Sequence, residues 1–438
     1  MRKTRSVDSP SDEDSKANAE EADARASIDR RSFLQGAGAA ALGMGVLGLG
    51  ENALAEPRSA EPPSIKRYVE LGKTGLKISD IGFGSGGCKS ADLVRHCYDR
   101  GINYFDTAEM YRSEGLWEGD YVEKLIGDAL HDKRDKVVIT TKFMAKADDD
   151  RRKIMNKLEA SLRRLRTDHV DIYLNHAVNE PERLKNQEWF EFVELAKKQG
   201  KIRFSGMSGH GGRLQECLEY ALDHELVDVI LVAHSFGSDP AFYEKYTKYF
   251  DIVANQKGLP RLIKKAHDKD VGVIVMKTLM GAKLNDMRPY QWGGASIPRA
   301  AFRWVFSDPN VDTLVISMKD RALADSYIAC SGERTLQKSD KRTLERFVRA
   351  NSRSYCRNNC CACETSCAQG VPIADALRQR MYALSYGDID LARDGYAALQ
   401  GGSTACLGCA ESSCASACPY DLDVPKLMRE TRELLSRG

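Results

Sequence analysis

The sequence has almost no net charge and no apolar run long enough for a membrane helix. Its 438 residues contain 65 lysines and arginines against 63 aspartates and glutamates, which leaves a formal net charge of +2. Nucleic-acid binding needs a local excess of basic side chains that meets the phosphates, so this balance predicts no nucleic-acid partner. Residues 36–50 are uncharged, but they are too short and too rich in glycine for a span of about 20 apolar residues. We therefore expect no stable membrane span.

Histidine is missing from the whole chain beyond residue 355, and cysteine is concentrated there instead. Nine of the 13 cysteines lie in this region, and eight of them form two quartets: Cys356, Cys360, Cys363 and Cys367, then Cys406, Cys409, Cys414 and Cys418. Such quartets are typical of thiolate ligands to iron–sulfur clusters. Structural zinc sites, which usually show paired cysteines or histidines, and a disulfide framework, which suits short secreted chains, are the alternatives. The pattern favours two 4Fe-4S clusters, with Cys361 left over.

The two quartets resemble the cysteine runs of bacterial two-cluster ferredoxins. They read C-x3-C-x2-C-x3-C and C-x2-C-x4-C-x3-C-P, which adds one and two residues, respectively, to the C-x2-C-x2-C-x3-C-P run of that family. Each run continues in a similar way, through Val371-Pro372 and through Val424-Pro425, so the two halves form an internal repeat. The resemblance implies a ferredoxin-like module over residues 356–438, in which the fourth cysteine of each run binds the other cluster.

The N-terminal segment resembles a twin-arginine export signal. Arg30 and Arg31 precede the uncharged residues 36–50, and Ala53-Leu54-Ala55 then provides small residues for cleavage before Glu56. This route exports proteins that have already folded around their cofactors, which agrees with iron–sulfur clusters assembled in the cytoplasm. We therefore predict a signal peptide over residues 1–55 and a periplasmic or otherwise extracytoplasmic location. A permanent anchor and a chance pair of arginines are the alternatives.

Between residues 66 and 330, short β-branched runs alternate with helix-length segments. Eight runs have the composition of strands, and they begin at Ile81, Tyr104, Val137, Val170, Ile202, Val227, Val271 and Thr313. Strands that alternate with helices pair in parallel, and eight such units in about 250 residues have the size of a (β/α)8 TIM barrel. The predicted fold class is therefore α/β, with a hairpin over residues 68–78 ahead of the barrel and a linker helix over residues 331–355 behind it. An open doubly wound sheet is the alternative.

Four polar residues lie at or shortly after the ends of consecutive predicted strands. Asp106 ends the second strand, Tyr111 follows five residues later, Lys142 ends the third strand and His176 ends the fourth. In a barrel these strand ends meet on one rim. An ammonium lowers the pKa of a neighbouring phenol, a carboxylate holds the ammonium, and an imidazole orients a carbonyl oxygen. The four residues together predict a site that protonates a carbonyl. Each residue taken alone could instead have a purely structural role.

These motifs and others are similar to those of the aldo/keto reductase family. The matching segments are 71–76, 105–108 with Tyr111, 140–142, 171–176, 200–208 and 276–279. The resemblance covers about residues 66–330 and implies Asp106, Tyr111, Lys142 and His176 as a catalytic tetrad that uses hydride from NADP or NAD. It also implies a cofactor cleft lined by Ser208, Lys277, Leu279, Ser317 and Asp325. With the C-terminal cysteines added, the chain resembles the iron–sulfur branch of that family.

The nicotinamide part of the resemblance is less complete than the catalytic part. Near the sixth strand the family carries a glutamine for the nicotinamide amide, whereas this chain has Ala233-His234-Ser235-Phe236. Only Lys319 and Arg321 could replace the family's ligands to the 2′-phosphate of NADP. No flavin motif connects hydride transfer to one-electron clusters.

These features predict an exported oxidoreductase that acts on a small carbonyl or polyol substrate. One alternative is a cluster-linked oxidoreductase that exchanges electrons with a partner protein and does not use free NAD(P)H. The other is a redox-responsive binding subunit without turnover.

Overall fold

The described part of the chain begins with a two-stranded hairpin. The computed structural model describes residues 61–114, 119–210, 213–236, 258–279, 291–351, 356, 362–386, 389–399, 406, 409, 413–418 and 421–436. In the hairpin, β1 (Tyr68–Glu70) pairs antiparallel with β2 (Lys77–Ser79), and Gly75 ends the turn between them at a φ of 69°. Leu71 in this turn is fully buried among the apolar side chains inside the barrel. The hairpin therefore closes the amino-terminal end of the barrel.

Eight parallel strands form a closed barrel. They are β3 (Ile81–Gly84), β4 (Tyr104–Asp106), β5 (Val138–Phe143), β6 (Val170–Asn175), β7 (Ile202–Gly209), β8 (Val229–Ala233), β9 (Gly272–Met276) and β10 (Thr313–Ser317). Each strand pairs with its neighbours in sequence, and β10 closes the ring against β3. The predicted (β/α)8 barrel is confirmed, and the open sheet is excluded. Side chains such as Tyr104, Leu174 and Ile274 fill the interior, as expected for a barrel of this size.

The glycines at the end of β3 allow close packing inside this ring. Gly82, Gly84 and Gly87 have the Gly-x-Gly-x-x-Gly spacing of dinucleotide-binding turns. A Cβ at Gly82 would lie 2.5 Å from the ring of Tyr104, and a Cβ at Gly84 would lie 2.8 Å from the backbone of Ile316. Because both positions are crowded by the barrel itself, these two glycines are explained by packing, and their spacing does not indicate a doubly wound sheet.

Helices surround the barrel on its outer side. They are α1 (Ala91–Asp99), α2 (Val122–Leu130), α3 (Arg151–Leu165), α4 (Gln187–Lys198), α5 (Leu214–Asp223), α6 (Leu259–Asp268), α7 (Ile297–Phe306) and α8 (Arg321–Ile328). Five of them begin with a side-chain cap, in which Ser90, Asp150, Asn186, Ser296 or Asp320 accepts a hydrogen bond from a backbone N–H of the first turn. Their apolar faces and the outer face of the strands form one continuous core.

A further helix, α9 (Lys338–Asn351), lies within the predicted linker and packs against α7. Its Asp340 is fully buried and lies 3.2 Å from the guanidinium of Arg303 on α7. The hydroxyl of Thr343 donates to the carbonyl of Trp292. Breaking a buried ion pair of this kind strongly destabilises a protein. The linker helix is therefore fixed to the barrel.

The C-terminal part contains α10 (Ile373–Tyr386), α11 (Ile389–Ala397), α12 (Ser413–Ser416) and α13 (Val424–Leu435). Helix α10 packs against α11 and α13, and Arg380 on α10 lies 2.7 Å from Glu430 on α13. Residues 61–438 form one compact unit, which contains both the barrel and this module. None of the helices that the structure describes is long and apolar enough to cross a bilayer. The predicted signal peptide, residues 1–55, lies outside the described residues.

The internal repeat of the sequence is visible in the backbone of the module. Helices α10 and α13 each begin six residues after the fourth cysteine of a run. The N–H groups of Gly370 and Asp421 donate to the carbonyls of Cys367 and Cys418, at 3.0 and 3.3 Å. Both residues have left-handed backbone, with φ of 59° and 53°, a conformation that glycine and aspartate tolerate better than most residues. The same kind of turn therefore joins the fourth cysteine to the following helix in both halves of the module.

Candidate active site

The four predicted catalytic residues meet at the carboxyl end of the barrel. Asp106 is the last residue of β4, Lys142 is the penultimate residue of β5, and His176 directly follows β6. Nζ of Lys142 lies 2.8 Å from Oδ1 of Asp106 and also donates to the carbonyl of Thr107. Asp106 is 5% exposed and Lys142 is 1% exposed, so the ion pair is shielded from water.

Tyr111 and His176 lie beside this ion pair. The ring centroid of Tyr111 is 5.5 Å from Nζ of Lys142 and 5.9 Å from the ring of His176, which meets it at 80°. Nδ1 of His176 is buried and has no hydrogen-bond partner among the described residues. Buried polar atoms normally have a partner, so this nitrogen suits a pocket that a polar ligand fills.

The loop that carries His176 is fixed by Arg183, which the sequence did not reveal. Its buried guanidinium donates to the carbonyls of Ala145, His176 and Ala177, at 2.6, 2.8 and 2.9 Å. It also donates to Oδ1 of Asn175 at 2.6 Å. Ala177 has a φ of 52°, which is unfavourable for a residue with a Cβ. These four bonds hold the strained turn and therefore the imidazole; Arg183 belongs to no motif that would have identified it.

Burial dominates the titration of the site. It raises the pKa of Asp106 and lowers the pKa of Lys142, while the contact between the two groups opposes both shifts. Burial also lowers the pKa of His176 well below its ordinary value, and the charge of Lys142 acts in the same direction. His176 is therefore a neutral imidazole at physiological pH, with one N–H available for donation.

The pKa of Tyr111 contradicts the sequence prediction. We predicted that Lys142 would lower it, but burial raises the pKa of Tyr111 well above its ordinary value, and the charge of Asp106 adds to the rise. The prediction is wrong chiefly because the exclusion of water destabilises the phenolate. Asp106, whose Oδ1 lies 2.8 Å from Nζ of Lys142, also offsets the field of the ammonium. Tyr111 therefore keeps its proton well above neutral pH.

Replacing Lys142 with methionine is expected to reduce the free energy of unfolding by about 3–5 kcal/mol, because Asp106 would be left as an unpaired buried carboxylate. Urea denaturation, followed by the far-ultraviolet signal, measures this loss. The matched control is the double variant Lys142→Met with Asp106→Asn, which removes both charges and should recover part of the loss. A cost below about 1 kcal/mol for Lys142→Met would mean that the pair contributes little.

Four of the five predicted cofactor residues lie at or just beyond strand ends around the same mouth: Ser208 in β7, Lys277 and Leu279 after β9, and Ser317 at the end of β10. Oγ of Ser208 accepts a hydrogen bond from the N–H of Ala177 at 3.0 Å. The buried hydroxyls of Ser85 and Thr278 have no partner among the described residues. Such groups fit a polar ligand in the cleft, but contact with a nucleotide stays a prediction.

Asp325, the fifth predicted cofactor residue, lies on α8 and already contacts α1. Its Oδ1 is 2.8 Å from Nε2 of His96 and 3.1 Å from Nε of Arg100. The carboxylate therefore connects two outer helices of the barrel. Its predicted contact with a nucleotide stays a prediction.

Helix α10 of the C-terminal module contributes to the electrostatics of the barrel mouth, which the sequence did not predict. The hydroxyl of Tyr382 contributes to the raised pKa of Tyr111. The charge of Arg378 contributes to the lowered pKa values of Lys277 and His210. No motif in residues 373–386 connects this helix to the barrel, so only the tertiary arrangement reveals it.

Six cysteines of the two runs lie in or against one apolar cluster in the module: Cys356, Cys363, Cys367, Cys406, Cys414 and Cys418. One cavity is lined by Cys367 from the first run and by Cys406, Cys409 and Cys414 from the second. Cys367, Cys406, Cys414 and Cys418 are free thiols, while Cys360 and Cys361 lie outside the described residues. Within the described ranges, no three or more His, Cys, Asp or Glu side chains are grouped so as to hold a metal ion. The predicted cluster ligands therefore stay a prediction.

The chain is similar to known oxidoreductases over its barrel. Residues 87–291 match the sequence profile of the aldo/keto reductase family. An uncharacterized oxidoreductase of Bacillus subtilis, YrpG, is 32% identical over 242 residues, which are 50% of this chain and 68% of the relative. L-galactose dehydrogenase of Arabidopsis thaliana is 25% identical over 315 residues, which are 63% of this chain and 91% of the relative.

Two further comparisons have a smaller coverage of the relative or a lower sequence identity. YqkF, another uncharacterized oxidoreductase of Bacillus subtilis, is 27% identical over 185 residues, which are 39% of this chain and 57% of the relative. The solved structure of an aldo-keto reductase from Bacillus halodurans, in its holo form, has a TM-score of 0.49 and 18% identity, covering 67% of this chain and 99% of that one. The matching profile and the extent of similarity to YrpG show that the chain is an oxidoreductase belonging to the aldo/keto reductase family.

Proposed function

We propose that the protein interconverts a small carbonyl compound and its alcohol with a nicotinamide nucleotide, and that Tyr111 is the proton donor. The supporting observation is the convergence of Tyr111, His176 and the buried Lys142–Asp106 pair at one barrel mouth. Aldo/keto reductases use NAD(P)H, and a bound nicotinamide nucleotide would supply the hydride to the carbonyl carbon. The residues proposed to hold it are Ser208, Lys277, Leu279 and Ser317.

Each of the four residues has a distinct part in this proposal. The neutral imidazole of His176 donates an N–H to the carbonyl oxygen and orients it. Tyr111 gives its proton to the same oxygen, and burial ensures that the proton is present before the reaction. Lys142 then stabilises the phenolate that remains, at 5.5 Å from the ring. Asp106 fixes the ammonium and balances its charge while the site is at rest.

The proposed substrate is a sugar, a polyol derivative or another small carbonyl compound. The relative that matches over 91% of its own length is an L-galactose dehydrogenase, and another, of Escherichia coli, is a methylglyoxal reductase that is 38% identical over 115 residues. Both names describe small oxygenated molecules. The loops at the barrel mouth set the choice among such substrates.

Titration with NADPH and with NADH tests the nicotinamide part of the proposal. The ring of Trp304 lies 5.0 Å from His234, which directly follows β8, so tryptophan fluorescence reports on this side of the mouth. We expect saturable quenching by one of the two nucleotides, and a preference for NADPH would assign Lys319 and Arg321 to its 2′-phosphate. Absence of quenching by both nucleotides, with no binding in equilibrium dialysis, would contradict a nicotinamide-dependent reductase.

We further propose that the module holds two 4Fe-4S clusters. The grouping of Cys367 with Cys406, Cys409 and Cys414 around one cavity supports ligation of the second cluster by three cysteines of its own run and one of the other. The repeated turn after each run supports a second, equivalent site. A four-iron cube binds each thiolate to a separate iron atom, so its ligands are farther apart than the ligands of a single ion. Cys356, Cys360, Cys363 and Cys418 are the ligands proposed for the first cluster.

Export by the twin-arginine route is proposed from Arg30 and Arg31, and it can be tested in cells. Replacing both with lysine keeps the charge but removes the guanidinium groups, so the precursor should accumulate in the cytoplasm with residues 1–55 attached. Replacing Arg2 and Arg5 with lysine is the matched control, and processing should then be normal. Fractionation and mass spectrometry of the N terminus measure both results. An unchanged amount of processed periplasmic protein in the first variant would contradict this route.

The second candidate function is that of a cluster-linked oxidoreductase that does not use free NAD(P)H. The two ends of α10 support it. Its first residue, Ile373, lines the cysteine cavity, and Tyr382 on the same helix acts on the pKa of Tyr111. The nine steps between these residues correspond to about 14 Å along a helix. An electron-transfer partner would then exchange electrons with the clusters, close to the barrel mouth.

A further inference from the structure

The ring of Tyr121, the residue directly before α2, contacts two guanidinium groups. The guanidinium carbon of Arg112 lies 3.1 Å from the centre of this ring, and that of Arg164, on α3, lies 4.2 Å from it. Guanidinium groups stack favourably on aromatic rings because the cation is attracted to the π electrons. Tyr121 therefore connects the residue that follows Tyr111 in sequence to an outer helix of the barrel.

Backbone contacts place Tyr111 in the same assembly. Arg112 and Tyr121 form an antiparallel bridge, and the N–H of Val122 donates to the carbonyl of Tyr111 at 3.0 Å. These contacts join the two ends of the segment between Tyr111 and α2. The backbone of Tyr111 is therefore fixed to the first turn of α2, and the stacked ring fixes that turn to α3.

Arg164 also supports the strand that carries Lys142. Nε of Arg164 lies 2.6 Å from Oε2 of Glu123, which is fully buried. The hydroxyl of Thr141, the residue before Lys142 in β5, donates to the other oxygen of Glu123 at 2.5 Å. One guanidinium group therefore contacts both the ring beside the Tyr111 segment and the carboxylate that is bonded to β5.

This assembly leaves little freedom between the helices that carry it. A Cβ at Gly127 of α2 would lie 2.5 Å from the carbonyl oxygen of Arg164, so the two backbones are in close contact. The phenol ring of Tyr111 lies 5.5 Å from Nζ of Lys142, and the attraction between phenolate and ammonium falls with distance. Misplacing a catalytic group by about 1 Å can slow a reaction about 10²-fold.

We propose that Tyr121, stacked on Arg112 and Arg164, is a positioning residue that sets the placement of Tyr111 relative to Lys142 and so the rate of proton donation. Tyr121 acts through Tyr111 and is not itself a proton donor. The inference rests on the proposed role of Tyr111. A purely structural role, in which Tyr121 only holds α2 to α3, would change stability and leave the turnover of folded molecules unchanged.

The test uses full-length, anaerobically purified protein with methylglyoxal and the nucleotide selected by the fluorescence titration. Tyr121→Leu removes the aromatic face and should lower kcat at least tenfold, with KM changed less than twofold. The solvent deuterium isotope effect on kcat should rise, because proton donation becomes slower. Tyr121→Phe is the matched control, since it keeps the aromatic face, and it should change each quantity less than twofold. Unchanged kcat in Tyr121→Leu, or an equal loss in Tyr121→Phe, would overturn the proposal.

A double-mutant cycle tests whether Tyr121 acts through the proton donor. In the Tyr111→Phe background the donor is already absent, so Tyr121→Leu should lower kcat no further than twofold. A tenfold loss in both backgrounds would show an independent effect and would overturn the proposal. If Tyr121→Leu does not fold, Arg112→Gln replaces it in both measurements. Removal of one stacked cation should then lower kcat at least threefold, and no loss would count against the proposal.

Hydrogen exchange tests the placement without any turnover. If the unaltered protein reduces no carbonyl compound, the proposed reductase function fails, but the amide protons of Tyr111 and Val122 still report on the segment. Both are hydrogen-bonded to backbone carbonyls. Tyr121→Leu should speed exchange at these amides at least tenfold, and Tyr121→Phe should not. Equal exchange in the two variants would reject the positioning role.

Discussion

Replacing Tyr111 with phenylalanine is expected to slow carbonyl reduction by at least the ~10²-fold typical of losing a general acid. The substitution removes one hydroxyl and keeps the ring that lies 5.9 Å from His176, so the shape of the pocket is preserved. Burial keeps the proton on Tyr111 over the physiological range, so the substitution removes the proposed proton donor. We expect kcat and kcat/KM to fall together, with nucleotide binding retained, as for an interaction made in the transition state.

A suitable control is Tyr68→Phe, which removes a phenolic hydroxyl at the opposite end of the barrel. That hydroxyl donates to the carbonyl of Gly101, and the side chain is exposed, so turnover should be unchanged. The pair of variants separates proton donation from general effects of losing a hydroxyl. A substrate whose reduction is indifferent to Tyr111→Phe would remove the main support for the reductase mechanism.

The second large effect is expected in the iron content of the protein. With two 4Fe-4S clusters, anaerobically purified protein should contain about eight iron atoms per chain and a broad visible absorption that bleaches on reduction. Cys363→Ser should lower the iron content markedly, because Cys363 is 7% exposed within the cluster of cysteines and apolar side chains. Metal analysis and the visible spectrum measure both quantities.

Cys361→Ser is the matched control, since it makes the same change two residues away at the cysteine that neither quartet uses. Its iron content should remain close to that of the unaltered protein. Cys367→Ser should affect the cluster held by the second run, because Cys367 lines the cavity with Cys406, Cys409 and Cys414. Zinc in place of iron would contradict the cluster proposal. Turnover that survives Tyr111→Phe but is abolished by Cys363→Ser would indicate that the chemistry proceeds through the clusters.

The barrel could be predicted from local sequence patterns. A strand buried on both faces requires an almost continuous run of apolar and β-branched residues, and such runs mark all eight strands, with boundaries within two residues of those observed. Asp106, Lys142 and His176 could be predicted as neighbours because parallel strands bring successive carboxyl ends to one rim. The internal repeat of the module could be recognised because the same turn follows both cysteine runs.

Long-range electrostatics and packing between elements could not be predicted in this way. The sequence places Lys142 near Tyr111, but the sign of the pKa shift depends on burial and on the position of Asp106. Asp325 matches a family position, yet its carboxylate contacts His96 and Arg100 in this fold.

The electrostatic effect of α10 on the barrel mouth depends on how the module packs, and no local motif encodes it. Local periodicity and spacing therefore defined the barrel, its rim of polar residues and the repeated cysteine runs. Protonation at the rim, and the approach of Arg378 and Tyr382 to it, arise from contacts between residues far apart in sequence, whose distances and dielectric surroundings exist only in the folded chain.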